Sequence, residues 1–441
     1  MSTKYDNSNV ANWGFATQQI HAGQTVDPTG SRNLPIHMTT SYVFDSAEHA
    51  KQRFALEDPG PIYSRLTNPT VEVLENRINT LEGGVHAVAF ASGMAAITAA
   101  LINVANSGDH IVASPRLYGG TETLLLVTLP RLGITTTFVE NPDDPQSWQD
   151  AVQDNTVAFF GETFANPQAD VLDIPEISKV AHENKVPLII DNTLATAALV
   201  KPLELGADVS VSSLTKFYTG NGSAIGGILV DGGKFDWTQE RNGKPVFPGF
   251  VTPDPAYHGL KYADLGEPAF GLKARAGLLR DTGATLSAFN AWLAVQGLDT
   301  LNLRVKQHNE NAKQVAEFLD KHPKVASVAY AGLESSPWNK VKEKLGLEYT
   351  GSVLAFDLAT GDADPREAAW KFIDSLKLHS DLANVGDVRS LVVHPATTTH
   401  SQSTEENLRN AGISQATVRL SVGIEDVRDI IADLEQGFEQ I

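Results

Sequence analysis

The 441-residue chain contains no cysteine, which excludes disulfides, thiolate metal sites and a cysteine nucleophile. It has no excess of positive charge either: 34 Lys and Arg stand against 53 Asp and Glu, a formal net charge of −19. Nucleic acid and anionic membranes are therefore not expected partners, and an anionic small substrate needs its own local cation. No apolar run approaches the ~20 residues needed to cross a bilayer. The opening MSTKYDNSNVANWGF is polar and lacks the apolar centre of a secretory signal, so the expected location is the cytoplasm. There is no internal repeat, no low-complexity tract, no Walker A sequence and no HExxH. What is present is ordinary for a globular protein: 42% hydrophobic and 20% charged residues, in a chain long enough for two or three domains.

Residues 1–61 are irregular, with Pro28, Gly30, Pro35, Pro59 and Pro61, and read as an arm that packs on something else. From about residue 62 the pattern becomes βα. Helical spacing over Val71–Leu81 is followed by short apolar runs at His86–Ala91, His110–Ala113, Thr135–Val139, Thr156–Gly161, Pro187–Asp191, Asp208–Val211 and Gly227–Val230. Helix-like segments at Ala95–Val104, Gly120–Leu132 and Pro175–Glu183 lie between several of them. Buried strands alternating with helices predict an α/β domain around a mostly parallel sheet over 62–275. Residues 234–275, rich in proline and glycine, read as a long loop insertion. Asp281–Leu303 reads as one helix broken at Gly297, and 276–441 as a smaller C-terminal α/β domain. Its expected helices are Asn311–Leu319, Pro365–Leu376 and Asp426–Phe438, and its expected strands Val325–Ala329, Leu354–Leu358 and Thr417–Ser421.

The segment Asp208–Gly227, DVSVSSLTKFYTGNGSAIGG, sets a lone lysine, Lys216, just past a strand pattern among small hydroxyl residues and glycines. It is either a solvated lysine or an amine that reacts. A reactive lysine most often forms a Schiff base with a carbonyl, and pyridoxal phosphate is the commonest such carbonyl in α/β enzymes. That cofactor needs an anion site, a carboxylate at its ring nitrogen and a flat group on the ring. Ser92, Gly93 and Met94 follow a strand and open a helix, where free N–H groups bind phosphate; Ser213 and Thr215 add hydroxyls. Taken alone, Ser92 reads more readily as a plain helix cap, since caps are common. Asp191 ends the apolar run PLIID, where sheet-end residues of α/β folds meet ligands, or is a turn aspartate. Tyr118 offers a ring and a phenol, or is simply a half-buried tyrosine. Gly220–Gly226 is one residue too long for GxGxxG, which disfavours a nucleotide-dependent dehydrogenase. The pair His394 and His400 has no matching carboxylates and reads as structural.

Together these segments resemble the pyridoxal-phosphate enzymes of cysteine and methionine metabolism. The motifs IYSRLTNPT at 62–70, ASGMAAI at 91–97, GETFANP at 161–167, LIIDNT at 188–193, SSLTKFYTG at 212–220, HPATTTH at 394–400 and VRLSVGIED at 418–426 occur in the family's order. The resemblance implies a type I pyridoxal-phosphate-transferase-like fold and a role for each position. Lys216 would hold the cofactor and serve as the catalytic base, and Tyr118 would stack on the ring and could also act in catalysis. Ser92, Gly93, Met94, Ser213 and Thr215 would bind the phosphate. Tyr63 and Arg65 would reach the cofactor of a neighbouring subunit, which implies a homo-oligomer, a dimer of dimers in this family. Asp191 would face the pyridine nitrogen, with Asn166 near the ring hydroxyl. Arg419 would clamp the substrate carboxylate, with Glu162 and Asn384 close by.

Finer features point to one branch. Gly120 stands where methionine γ-lyases often carry a cysteine, Asn384–Asp387 stands where lyases and cystathionine synthases usually have SLG, and 234–275 resembles the insertion of O-acetylhomoserine sulfhydrylases. The implied reaction makes homocysteine from O-acetylhomoserine and sulfide. An O-succinylhomoserine sulfhydrylase, a cystathionine γ-synthase, a methionine γ-lyase and a non-catalytic protein on the same fold are the alternatives.

Overall fold

The computed structural model describes residues 9–55 and 57–441; the first eight residues of the expected arm, and Leu56, lie outside the described residues. Seven strands build the main sheet: β1 His86–Phe90, β2 His110–Ala113, β3 Thr135–Phe138, β4 Thr156–Glu162, β5 Leu188–Asp191, β6 Val209–Ser213 and β7 Gly227–Asp231. Their order is β1-β7-β6-β5-β4-β2-β3, and only β7 runs against the others. The strands form where the sequence has continuous apolar runs, and all seven residues of β4 are buried. Helices on both faces give a sheet with two apolar sides, which is why its strands do not alternate. The carboxyl ends of β4, β5 and β6 lie side by side, with Glu162 in register with Asp191. Three acidic or hydroxyl residues, Glu162, Asp191 and Ser213, thus finish neighbouring strands.

Residues 234–275 are not a bare loop. They hold a hairpin, β8 Glu240–Arg241 with β9 Lys244–Pro245, and several short helical turns. Trp237 stacks on Phe250 with centroids 4.5 Å apart and on Phe270 at 5.1 Å, so this segment carries its own aromatic core. Of the prolines that suggested a loop, Pro248 and Pro255 open short helices, Pro268 caps another and Pro245 lies in β9. The arm also contains helices, Phe15–His21 and Ala47–Phe54. The first is tied down by Gln19, whose amide bonds Asn302, and by Ala22, whose carbonyl accepts from the buried Arg77. Met38, Val43 and Phe54 further along remain exposed.

The expected helix Asp281–Leu303 is two elements with different bounds. Ala288–Leu298 starts on the Ser287 cap, and a separate helix runs Leu301–Asp320. Gly297 lies inside the first of these and does not break it. A Cβ there would overlap the carbonyl oxygen of Tyr218, so glycine lets the helix lie against the segment following Lys216. A second sheet follows, with β10 Val325–Ala329, β11 Val353–Leu358, β12 Ser380–Asp381, β13 Leu391–Val393 and β14 Thr417–Ser421 in the order β10-β11-β14-β13-β12. It packs on helices Leu301–Asp320, Pro365–Ser375 and Val427–Phe438 around Phe356, Phe372, Leu420 and Phe438. Among the described residues no helix is long and apolar enough to cross a membrane.

Candidate active site

A cavity of about 200 Å3 opens where the carboxyl ends of β4–β6 face β14 of the second sheet. It is lined by Ser92, Gly93, Met94, Tyr118, Glu162, Asn166, Asp191, Ser213, Thr215, Lys216, Asn384 and Arg419, twelve of the fourteen residues singled out from sequence. Tyr63 and Arg65 do not reach it. They are exposed, with the Arg65 guanidinium 5.3 Å from the centre of the Tyr63 ring. Thr193 and Thr399 line the cavity and were not anticipated, although each belongs to a motif quoted above, LIIDNT and HPATTTH. Their neutral side chains gave nothing to single out. No residue of 234–275 lines the cavity. His394 is occupied by Thr397 and the carbonyl of Gln415, and among the described residues no group of three acidic or histidine side chains could hold a metal ion.

Lys216 follows β6 by three residues. Its Nζ donates to Asn384 Oδ1 at 2.6 Å. Burial first, and the positive charge of Arg419 second, lower its amine from the ordinary 10.5 to about 8. Roughly a tenth of the amine is then neutral at pH 7, far more than for an ordinary lysine, and the neutral form is the one that attacks a carbonyl or takes a proton.

One end of the cavity is an anion cradle. Ser92 caps the helix Gly93–Val104, with its Oγ accepting from Ala95 N at 3.1 Å. The cap reading of Ser92 therefore holds, alongside its place in the cavity wall. The N–H groups of the first turn have no helical partners, and the helix dipole favours negative charge there. A Cβ on Gly93 would lie 2.7 Å from Ser213 Cβ, and one on Gly227 would overlap the Ser92 carbonyl, so the helix start can lie against β6 and β7 only because both are glycine.

Asp191 and Glu162 form a buried acidic pair. Asp191 Oδ1 accepts from Thr193 N at 2.9 Å, and Thr193 Oγ1 accepts in turn from Ser213 N at 2.8 Å, so Thr193 links the ends of β5 and β6. Glu162 Oε1 accepts from Tyr118 N at 2.7 Å. Burial raises both carboxyls, and the neighbouring Asp191 pushes Glu162 further, well above the carboxylate range. Glu162 is the group that keeps the proton, leaving Asp191 to carry the charge. No cation lies within ion-pair distance of Asp191 among the described residues, an arrangement that a protonated ring nitrogen would complete.

Arg419 projects from β14, the middle strand of the second sheet, and only 3% of it is exposed. Its Nη1 donates to Asn166 Oδ1 and its Nη2 to the Asn384 carbonyl, both at 3.1 Å, while Nε has no partner. No carboxylate among the described residues pairs with it, and burial lowers it to about 10. A buried guanidinium with an orphaned N–H and no counter-ion is costly unless an anionic ligand completes it. Tyr118 is 43% exposed at the mouth, and a Cβ on Gly120 would lie 2.5 Å from its Cε1, so the ring rests against a bare backbone.

A tuned lysine at the carboxyl edge of a mostly parallel sheet, with an anion cradle, an unpaired aspartate and an unpaired arginine, defines an enzyme that handles amino acids through a carbonyl cofactor. The residues present fit pyridoxal phosphate. The chain belongs to the Cys/Met metabolism PLP-dependent enzyme family, whose model matches residues 16–439. It is 74% identical over 439 residues to the O-acetyl-L-homoserine sulfhydrylase of Corynebacterium glutamicum, covering 99% of this chain and 100% of that protein. It is 48% identical to the enzyme of the same name from Leptospira meyeri, with 96% of both chains covered. A solved structure of a putative O-acetylhomoserine (thiol)-lyase from Campylobacter jejuni, which carries a pyridoxyl-lysine phosphate, superposes with a TM-score of 0.92 at 40% identity, covering 97% of this chain and 100% of that one. The cystathionine γ-lyase of Lactobacillus plantarum is similar at a TM-score of 0.83 and 31% identity, covering 97% and 99%.

Proposed function

We propose that the chain catalyses γ-replacement on an acylated homoserine: O-acetyl-L-homoserine and hydrosulfide become L-homocysteine and acetate, a step of methionine biosynthesis in the cytoplasm. The observation that carries this reading is the buried Arg419, which has no counter-ion and an Nε without a partner, and which lines the same cavity as Lys216. That geometry suits an α-amino acid, with its carboxylate on the guanidinium and its amine and α-carbon at the lysine. The names of the Corynebacterium glutamicum and Leptospira meyeri relatives fit this reading.

In this reading Ser92, Gly93, Met94, Ser213 and Thr215 would hold the phosphate of pyridoxal phosphate, Asp191 would keep its ring nitrogen protonated, and Asn166, Glu162 and Tyr118 would hold its ring. Pyridoxal phosphate, when bound, would supply an electron sink that makes the single proton of the substrate α-carbon acidic. Lys216 holds the cofactor until substrate arrives, then takes the α-proton and moves a second proton at the β-carbon. Acetate leaves the γ-carbon with the electrons of the C–O bond. The hydrosulfide sulfur forms the new C–S bond there, and protons return to the β- and α-carbons. Arg419 keeps the carboxylate fixed throughout, so that the reacting carbons stay within reach of Nζ. Tyr63 and Arg65 serve the cofactor phosphate of a neighbouring copy, in a dimer of dimers. Exclusion of water then falls to that copy's arm (residues 1–61) rather than to 234–275. Residues 62–275 form the cofactor domain and 276–441 the domain that supplies Arg419.

Initial rates with acetyl and succinyl esters, each with hydrosulfide and with cysteine, test this reading. It expects kcat/KM for the acetyl ester with hydrosulfide to exceed the other three combinations by about tenfold or more. A preference for the succinyl ester with cysteine would overturn it.

A further inference from the structure

We propose that Glu82 is a positioning residue that sets the spacing between Asp191 and Lys216, acting through Asn192 and Tyr218. Glu82 ends the helix Pro69–Glu82, where Gly83 turns into the left-handed region at φ +75°. Its side chain is turned inward and only 1% of the residue is exposed. Oε1 accepts from Tyr218 Oη at 2.9 Å and from Asn192 Nδ2 at 3.2 Å, and Oε2 accepts from Ser210 Oγ at 3.4 Å. Asn192 follows Asp191, and Tyr218 comes two residues after Lys216. One carboxylate therefore joins the strand end that carries the acid to the turn that carries the amine.

The joint is closed on every side. Asn192 Oδ1 accepts from Thr163 Oγ1 at 2.8 Å, and its Nδ2 also donates to the Val200 carbonyl at 2.9 Å, so the residue after Glu162 belongs to the same network. Tyr218 Oη accepts from Ala197 N at 3.2 Å. The buried Arg304 donates to the Phe217 carbonyl at 2.8 Å and to the Gly297 carbonyl at 2.7 Å, tying the same turn to the helix Ala288–Leu298. None of Glu82, Asn192, Tyr218 or Arg304 lines the cavity. Among the described residues no cation forms an ion pair with Glu82, and burial raises its carboxyl to about 7. Packing alone gives no reason to bury an unpaired acid, since apolar groups fill such space at lower cost. Fixing two reacting groups by a shared acceptor does give one.

The inference rests on the roles of Lys216 and Asp191 in the proposed function, and its test is chosen to be independent of the substrate. Tyr218→Phe removes one hydroxyl. Glu82→Gln keeps the shape but sets a donor against Ser210 or Asn192. Holoenzymes of both variants and of the double variant are compared with wild type in three measurements: the pH midpoint of the bound cofactor's visible band, kcat and KM, and Tm. The expected result is a midpoint displaced by about half a unit or more in each single variant, kcat lowered about tenfold with KM within about twofold, and a double variant no worse than the poorer single one. A wild-type midpoint with kcat within about twofold in both singles would overturn the proposal, whatever happens to Tm. If the wild type does not turn over the acetyl ester, the midpoint alone decides, so failure of the substrate assignment is distinguishable from failure of this one.

Discussion

Lys216 Nζ donates to Asn384 Oδ1 at 2.6 Å, and the Asn384 carbonyl accepts from Arg419 Nη2 at 3.1 Å. A single neutral residue thus holds both cations of the cavity. Its neutrality matters because Lys216 is lowered to about 8 partly by the facing Arg419 charge. Asn384→Asp keeps the shape and adds a negative charge, which favours the protonated amine. The pH midpoint for uptake of pyridoxal phosphate by cofactor-free protein then moves upward from near 8, by about one unit. An unchanged midpoint would show that the Asn384 contact does not tune the amine.

Arg419→Lys keeps one charge but loses the planar fork and the bonds to Asn166 and Asn384. KM for the amino-acid substrate rises about 10- to 100-fold, with a smaller change in kcat. Steady-state kinetics reads this directly. Equal losses in kcat and kcat/KM with KM unchanged would mean that Arg419 does not hold the ground-state carboxylate.

Gly120→Ala puts a methyl group 2.5 Å from Tyr118 Cε1. Tyr118 is half exposed, so its ring moves aside and stability is kept, with Tm within about 2 °C of wild type. The ring no longer lies where the cofactor is expected, and kcat falls about tenfold. A stable variant with unchanged kcat would remove Tyr118 from the mechanism.

Asp433 accepts from the N–H groups of Lys377, Leu378 and His379 and from His379 Nδ1. These donors hold its carboxyl well below the ordinary value of 3.8. A depressed folded value gives stability that is complete above the unfolded value and lost as pH falls through the folded one. Asp433→Asn loses about 3 kcal/mol at pH 7 and changes less than wild type on acidification below pH 4, as urea titration at several pH values will show.

The sequence reveals most of the main sheet because a sheet covered on both faces needs apolar runs, and β1, β2, β4, β5 and β7 are mostly such runs, whereas the edge strand β3, TTTF, is only partly buried. It conceals elements whose residues stay exposed or few, such as β12 at Ser380–Asp381 and the arm helix Ala47–Phe54, none of whose residues is buried. The site is legible where chemistry demands an unusual residue, a lysine among glycines and an aspartate ending an apolar strand, whereas Arg419 is legible only through the resemblance carried by VRLSVGIED. Thr193 and Thr399 act through neutral side chains and gave no signal. Glu82 lies 134 residues before Lys216 in the chain, and only the fold brings its carboxylate to Tyr218.

The central claim is that Lys216 drives γ-replacement on the acetyl ester. Purified protein loaded with pyridoxal phosphate is given O-acetylhomoserine and hydrosulfide, and homocysteine and acetate are quantified for wild type and Lys216→Ala. The account predicts equal amounts of the two products from wild type and a loss of at least about a thousandfold in the variant. Ammonia and a keto acid in place of homocysteine, or homocysteine formed undiminished by Lys216→Ala, would contradict it.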